Sequence, residues 1–173
     1  MKVAVRNTSP ADHPQLASLY AAAFPKEDLL PLVDAMLMDS CCLASLVAVE
    51  QETVVGHALV TACSVPQSPA RLALLGPLAV LPALQRRGIG TALVREALHQ
   101  MVAAEINRIL VLGDPAYYHR FGFAPERDVE PALPIPPAWR TAWQSLPLPG
   151  AESSPVGTLS VPSPWRDPSL WAP

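Results

Sequence analysis

Apolar and polar residues change their period several times along the chain, and each change predicts an element. Val3 and Val5 alternate with polar neighbours between Lys2 and Arg6, the two-residue period of a half-buried strand. Ser9-Pro10-Ala11-Asp12 then offers an N-cap serine and a first-turn proline, and Leu16, Leu19, Tyr20 and Ala23 recur at helical spacing until Pro25. A second helix is predicted from about Glu27 to Asp39, with Leu29, Leu30, Leu32, Val33, Met36 and Leu37 on its inner face. Leu43 to Val49 and Val54 to Cys63 are rich in Val and Leu, and Glu50 to Thr53 between them has the length of a hairpin loop. Arg71 to Val80 supplies another long strand of the same sheet. Gly76-Pro77 interrupts it, because proline has no N–H to give to a ladder, so a bulge or a splayed edge is expected there.

From Gly88 to about Ala104, Ile89, Leu93, Ala97 and Met101 fall at four-residue steps with Arg95, Glu96, His99 and Gln100 opposite, which predicts an amphipathic helix. The short apolar run Arg108 to Leu112 follows it as a parallel strand returned by a crossover, and a short helix from about Pro115 to Phe121 ends at Gly122. From Pro125 onward the texture changes: 12 of the 21 prolines and all four tryptophans lie there, which argues against long regular elements. Gln144 to Leu148 and Val156 to Val161 are expected to pair as a final hairpin around Gly150 to Ser154. The large apolar areas of Trp139, Trp143, Trp165 and Trp171 call for burial. A packed Pro/Trp-rich cap over about 125–165 is therefore expected at the end of one domain spanning 1–165, with 166–173 as a loose end.

A chain of 173 residues, half of them hydrophobic and 16% charged, is long enough to bury a core without metal or disulfide staples. A net charge of −3 provides no basic face for nucleic acid. The longest apolar block, Leu72 to Leu84, is short of the ~20 residues a membrane span needs and contains Pro77 and Pro82. Arg6 comes before any apolar run can form, which speaks against a secretory signal, so a cytoplasmic location without a membrane is expected. Cys41, Cys42 and Cys63 form no CxxC pair; they are read as buried small hydrophobes, with neither a disulfide framework nor a metal site.

The stretch that carries chemistry is Leu78-Ala79-Val80-Leu81-Pro82-Ala83-Leu84-Gln85-Arg86-Arg87-Gly88-Ile89-Gly90-Thr91, which passes from strand to turn to helix. A helix N-terminus offers backbone N–H groups without intrahelical partners and the positive end of the helix dipole, and Gly88 and Gly90 remove side chains that would hold phosphate oxygens away. Arg86 and Arg87 add charge suited to a pyrophosphate or a ribose phosphate, and Thr91 adds a hydroxyl. No Gly-Lys pair exists for a Walker loop. A dinucleotide fingerprint fails because Leu93 stands at its third small position. A tight strand-to-helix turn without a ligand is the remaining alternative.

Gln85-Arg86-Arg87-Gly88-Ile89-Gly90 resembles the Gln/Arg-x-x-Gly-x-Gly/Ala acetyl-CoA signature of the GCN5-related N-acetyltransferases. Val80-Leu81-Pro82 resembles the Val-x-Pro that precedes it in that family, and Tyr118-His119-Arg120-Phe121-Gly122-Phe123 the later Tyr-x-x-x-Gly-Phe element. Gly113 to Tyr118 together with Phe121-Gly122-Phe123 looks like the YhbS-like branch of predicted acetyltransferases. The resemblance spans about residues 3–162. It implies an α/β (α+β) fold, a single domain with a mixed central sheet of about six to seven strands, about four flanking helices and splayed strands at the acetyl-CoA site.

By the same resemblance the backbone of Leu78, Ala79 and Val80 pairs with the pantetheine arm, and Gln85, Arg86, Arg87, Gly88, Ile89, Gly90 and Thr91 hold the phosphates. Tyr118 stands where the family's tyrosine protonates the departing thiolate, with packing beside Phe121 as its ordinary alternative. The implied reaction moves acetyl from acetyl-CoA to a primary amine of a small molecule, peptide or protein, in a monomer or homodimer. A non-catalytic acyl-CoA-binding or partner-binding module on the same fold, with Pro134 to Pro137 and Pro147 to Pro149 as a partner ligand, is the competing expectation. No acidic residue lies on the strand Arg71 to Val80, which leaves Glu27, Asp28 and His57 as candidates for the base beside a water chain; His57 is read as an ordinary strand residue.

Overall fold

A computed structural model describes residues 2–151 and 154–172 of the protein. The expected loop at Gly150 to Ser154 thus lies partly outside the described residues, as do the first residue of the expected domain and the last of the expected loose end. Seven strands form one mixed sheet in the order β1-β2-β3-β4-β5-β8-β6: β1 Ala4–Asn7, β2 Cys42–Glu50, β3 Thr53–Cys63, β4 Leu72–Val80, β5 Arg108–Leu112, β6 Ala124–Pro125 and β8 Trp143–Pro147. Two short strands, β7 Val129–Glu130 and β9 Gly157–Thr158, pair in parallel outside it. Among the described residues four α-helices accompany them: α1 His13–Ala23, α2 Leu30–Leu37, α3 Ile89–Ala103 and α4 Pro115–Tyr118. The chain forms two compact units, Met1–Val60 with Gly76–Gln100, and Thr61–Leu75 with Met101–Pro173.

In the first unit β1 runs antiparallel to β2, with Ala4 opposite Val49 and Asn7 opposite Leu46. The β2–β3 hairpin closes on Gln51 and Glu52, both at positive φ (48° and 66°), the conformation of the tight turns whose twist matches that of the flanking strands. α1 begins after a 3-10 turn at Pro10–Asp12 and ends at Ala23, with Phe24 as its C-cap before Pro25. α2 is shorter than its apolar pattern predicts. It starts at Leu30, where Pro31 in the first turn gives up only an N–H that has no intrahelical partner. Leu16, Leu19, Tyr20, Val33, Val47, Val54 and Ala79 are buried together as this unit's core.

In the second unit the start of β4 lies parallel to β5, with Leu72 opposite Arg108 and Leu74 opposite Leu110, while β4 itself runs on to Val80 and β5 to Leu112. The other edge of β5 pairs antiparallel with β8 from Arg108–Pro147 to Leu112–Trp143. The final hairpin predicted from the sequence does not form. One edge of β8 is taken by β5 and the other by β6, so 156–161 finds its partners elsewhere: Gly157 and Thr158 pair with β7, and Ser160 bridges Ser64.

Three of the four tryptophans are buried, and Trp139 is only half-buried. Trp143 is fully buried and donates its indole N–H to Val129 O at 2.7 Å, and Trp165 donates to Thr61 Oγ1 at 3.0 Å. Trp171 lies edge-on to both rings at centroid distances of 5.9 and 6.1 Å and donates to Trp165 O. Residues 166–172, expected as a loose end, instead carry a 3-10 turn at Pro168–Leu170 capped by Asp167 and are anchored by the buried Trp171. The three cysteines are half-buried rather than buried.

Candidate active site

The sequence-predicted phosphate segment forms one continuous strand, turn and helix in the first unit. Leu78, Ala79 and Val80 end β4, with Ala79 buried and its neighbours half-buried; Pro82–Leu84 makes a 3-10 turn; Gln85, Arg86, Arg87 and Gly88 are exposed. The turn is tied down at both ends. Leu81 N–H donates to Val55 O at 2.9 Å, and the Gln85 side-chain amide donates to Val80 O at 3.3 Å.

Arg86 and Gly88 both take positive φ, 62° and 84°. At Gly88 a Cβ would meet no atom within 4 Å, so the backbone there is open to an approaching group, and glycine adopts its φ without strain. Ala92 N–H donates to Gly88 O at 2.9 Å, which starts the helical ladder and leaves the amides of Ile89, Gly90 and Thr91 without intrahelical acceptors. Ile89 points the other way and is buried. These groups suit the phosphates of a coenzyme: exposed guanidinium groups, outward amides and a backbone with no Cβ in front of it.

Gly56 on β3 makes this packing possible, and the sequence reading missed it. A Cβ there would lie 2.9 Å from Leu93 Cδ1, 3.0 Å from Ile89 Cγ2 and 3.1 Å from Ala79 O, so α3 can sit down on β3 only over a glycine. A glycine inside the apolar run Val54 to Val60 was the available signal, since it marks close approach of another backbone.

Tyr118 belongs to the second unit. α4 is capped by Asp114, whose carboxylate accepts from Ala116 N–H at 2.9 Å, and the chain leaves the helix through Gly122 at φ 97°. This places Tyr118 inward, edge-on to Tyr117 at 5.0 Å and to Phe123 at 5.6 Å. Burial, with Tyr117 adding to it, pushes the Tyr118 phenol above its ordinary range, so it holds its proton. Gly113, which the sequence shows only as the start of the Gly113 to Tyr118 stretch, has a packing role as well: a Cβ on it would overlap the Tyr118 ring. His119 and Arg120 are exposed, and Arg120 lies over the Tyr117 ring at 4.6 Å.

His57 is not a surface base. It is fully buried, with Nδ1 2.8 Å from Tyr20 Oη and Nε2 2.8 Å from Ser45 Oγ, and Ser45 Oγ lies 2.7 Å from Thr8 Oγ1. Burial pulls its pKa down to about 4 against a smaller opposing effect of Asp12, which keeps the ring neutral.

The Acetyltransferase (GNAT) family matches the chain over residues 13–123, more than half its length. YjhQ of Escherichia coli, an uncharacterized N-acetyltransferase, is 30% identical over 149 residues, covering 80% of this chain and 82% of YjhQ. The chain belongs to the GNAT acetyltransferase family. Membership makes it an acyltransferase and gives its fold, a single GNAT fold with a seven-stranded mixed sheet. A GNAT acetyltransferase from Brucella melitensis, solved with acetyl-CoA, is 28% identical with a TM-score of 0.77, covering 94% of this chain and 97% of its own. YhbS of Escherichia coli, solved with CoA, has a TM-score of 0.87 at 24% identity, covering 96% of this chain and 93% of its own, and so bears on the fold. Among the described residues no helix is long and apolar enough to cross a membrane.

Proposed function

We propose that the protein transfers the acetyl group of acetyl-CoA to a primary amine by direct attack in a ternary complex. The observation that carries this reading is the turn from β4 into α3, where Gly88 at φ 84° leaves the backbone open and Arg86 and Arg87 stand exposed beside the helix N-terminus. The Brucella relative, solved with acetyl-CoA, supports it. Acetyl-CoA supplies an activated acyl carbon: an N–C bond forms as the C–S bond breaks, the amine gives up a proton and the thiolate takes one.

In this reading the main chain of Leu78, Ala79 and Val80 receives the pantetheine arm like an added strand, and one of its N–H groups polarises the thioester carbonyl. The amides of Ile89, Gly90 and Thr91 take the diphosphate with Arg86 and Arg87, and Gln85 holds the turn to Val80. Tyr118 donates its phenolic proton to the thiolate. No residue is assigned as base, since His57 has both nitrogens engaged and Glu27 and Asp28 have no contact that recommends them; an acceptor that arrives partly neutral, or a water chain, meets the need.

The test is calorimetric titration with acetyl-CoA, followed by thiol release over a library of amino acids, polyamines and peptides. Uptake with thiol release is expected, and Arg86→Ala/Arg87→Ala should lose uptake without unfolding. No uptake overturns the reading. Uptake without thiol release across the library points to a non-catalytic acyl-CoA-binding module. Tyr118→Phe should lower turnover far more than acetyl-CoA affinity, and an unchanged rate removes Tyr118 from the chemistry.

A further inference from the structure

The first unit holds a cavity of about 620 Å³ that the transferase reading does not use. It is bounded by the end of β1, the first turn of α1 and one side of α2, with Leu16 as its floor, Leu37 and Met38 as apolar walls, and Thr8, His13 and Asp34 as polar lining. Its size suits a small ligand, for which pockets run from about 300 to 1,000 Å³. It opens at the strand ends away from the phosphate turn. Ala4 pairs with Val49 beside the Gln51–Glu52 turn, so Thr8, bonded through its N–H to Ser45 O, stands at the far end of the hairpin; Leu81 is bonded to Val55, near that turn.

The polar wall has a direction that follows from counting protons. Thr8, Ser45, His57 and Tyr20 form a chain of three hydrogen bonds, and with a neutral imidazole the four side chains bring four mobile protons. Tyr20 is buried and its hydroxyl has His57 Nδ1 as its partner, so it donates there, since any other orientation would bury an unsatisfied O–H. The ring proton is then on Nε2 and is donated to Ser45, Ser45 donates to Thr8, and the fourth proton, on Thr8 Oγ1, is left for the cavity.

Asp34 supplies the opposite character. Its Oδ1 is 2.7 Å from His13 Nε2, while among the described residues its Oδ2 has no hydrogen-bond partner. The lining therefore offers a hydroxyl donor and a carboxylate acceptor together with the aliphatic surface of Leu37 and Met38. Ser9 adds no competing donor, because both its N–H and its hydroxyl are given to Asp12.

We propose that this cavity binds a small primary ammonium compound with an aliphatic body and a carbonyl group. The ammonium sits on Asp34 Oδ2, the body on Leu37 and Met38, and the carbonyl oxygen accepts from Thr8. Ser45, His57 and Tyr20 are positioning residues that act through Thr8. The inference does not depend on acetyl-CoA, and its test omits the coenzyme, so its failure and that of the transferase reading are distinguishable.

The test is calorimetry on the full chain near neutral pH, about 7, where an ordinary imidazole is mostly neutral and an α-amino group mostly protonated, with three probes: L-leucinamide, 4-methylpentanamide, which lacks the ammonium, and 3-methylbutylamine, which lacks the carbonyl. L-Leucinamide is expected to bind saturably at millimolar concentration or below. Loss of the ammonium from the probe, or Asp34→Asn in the protein, should each weaken binding about tenfold. Thr8→Val should weaken L-leucinamide and leave 3-methylbutylamine unchanged, and Thr8→Ser should restore the difference. Ser45→Ala should shrink the same ratio between the two probes, which a general loss of fold would not do. Failure of L-leucinamide to bind, equal binding of all three probes, or an Asp34→Asn variant that binds like the parent overturns the proposal.

Discussion

The turn at Gln85–Gly88 and the tryptophan cluster of the second unit are both built from unusual residues, and they use them in opposite ways. In the turn the working surface is backbone: four successive residues are exposed, two take positive φ, and two carry guanidinium groups. In the cluster the working surface is side chain: Trp143, Trp165 and Trp171 are buried, and each indole N–H finds an acceptor. A segment shaped to meet a ligand must keep particular residues at particular spacings. A segment shaped to fill space need only supply enough apolar volume with its polar edges satisfied.

Substitutions should pull the two apart. Trp143→Ala should cost the most, about 3–5 kcal/mol, from lost burial and a cavity, read from urea unfolding. Gly56→Ala sits between the two categories: it should lose about 1–3 kcal/mol through overpacking and also weaken coenzyme uptake, because the displaced atoms belong to Leu93, Ile89 and Ala79. If Gly56→Ala lowers stability and leaves coenzyme affinity intact, the turn does not depend on how α3 seats on β3. Arg86→Ala/Arg87→Ala should do the reverse of Trp143→Ala, lowering coenzyme affinity about tenfold or more with the melting temperature unchanged.

The remaining contrast is in pH. His57 is held neutral with its pKa at about 4 against an ordinary 6.5, so the unfolded chain takes up the proton first as the solution is acidified. The stability His57 contributes is full above pH 6.5 and is lost as pH falls toward about 4, and His57→Gln should flatten that slope in urea titrations. Glu126 acts lower. Burial opposes its ionisation, but hydrogen bonds from Ser145, from Asp128 and Val129 N–H and from Arg108 outweigh this and bring its pKa to about 2 against an ordinary 4.5. Its contribution is therefore lost between those two values as pH falls. The smallest effect is expected at the half-exposed Arg140–Glu130 pair, where Arg140→Ala should cost about 0.2–1 kcal/mol by the same unfolding measurement.

The parts legible in the sequence are those fixed by neighbours along the chain. Alternation set β1, the four-residue steps of Ile89 to Met101 set α3, and the tight span between Val49 and Val54 set the hairpin. What escaped depends on partners that the apolar pattern along the chain does not name. β8 bonds to β5 and β6 instead of to the residues after Gly150, because two strand edges were already available to it. Gly56 is required by the Leu93 side chain, which no local pattern connects to it, and Gly113 by the Tyr118 ring, whose contact the spacing of the two residues does not reveal. Trp171 is held by Trp143 and Trp165, which made the chain end look loose when read alone.

The carboxylate of Glu126 gathers three main-chain amides, those of Arg127, Asp128 and Val129, onto one oxygen while Arg108 takes the other. A bound inorganic anion would organise a loop in the same manner. Here the anion is covalently part of the segment it folds. The proline-rich stretch that follows thus leaves from a post tied down within the chain itself, and transplanting that stretch into another scaffold would require taking Glu126 and Arg108 along with it.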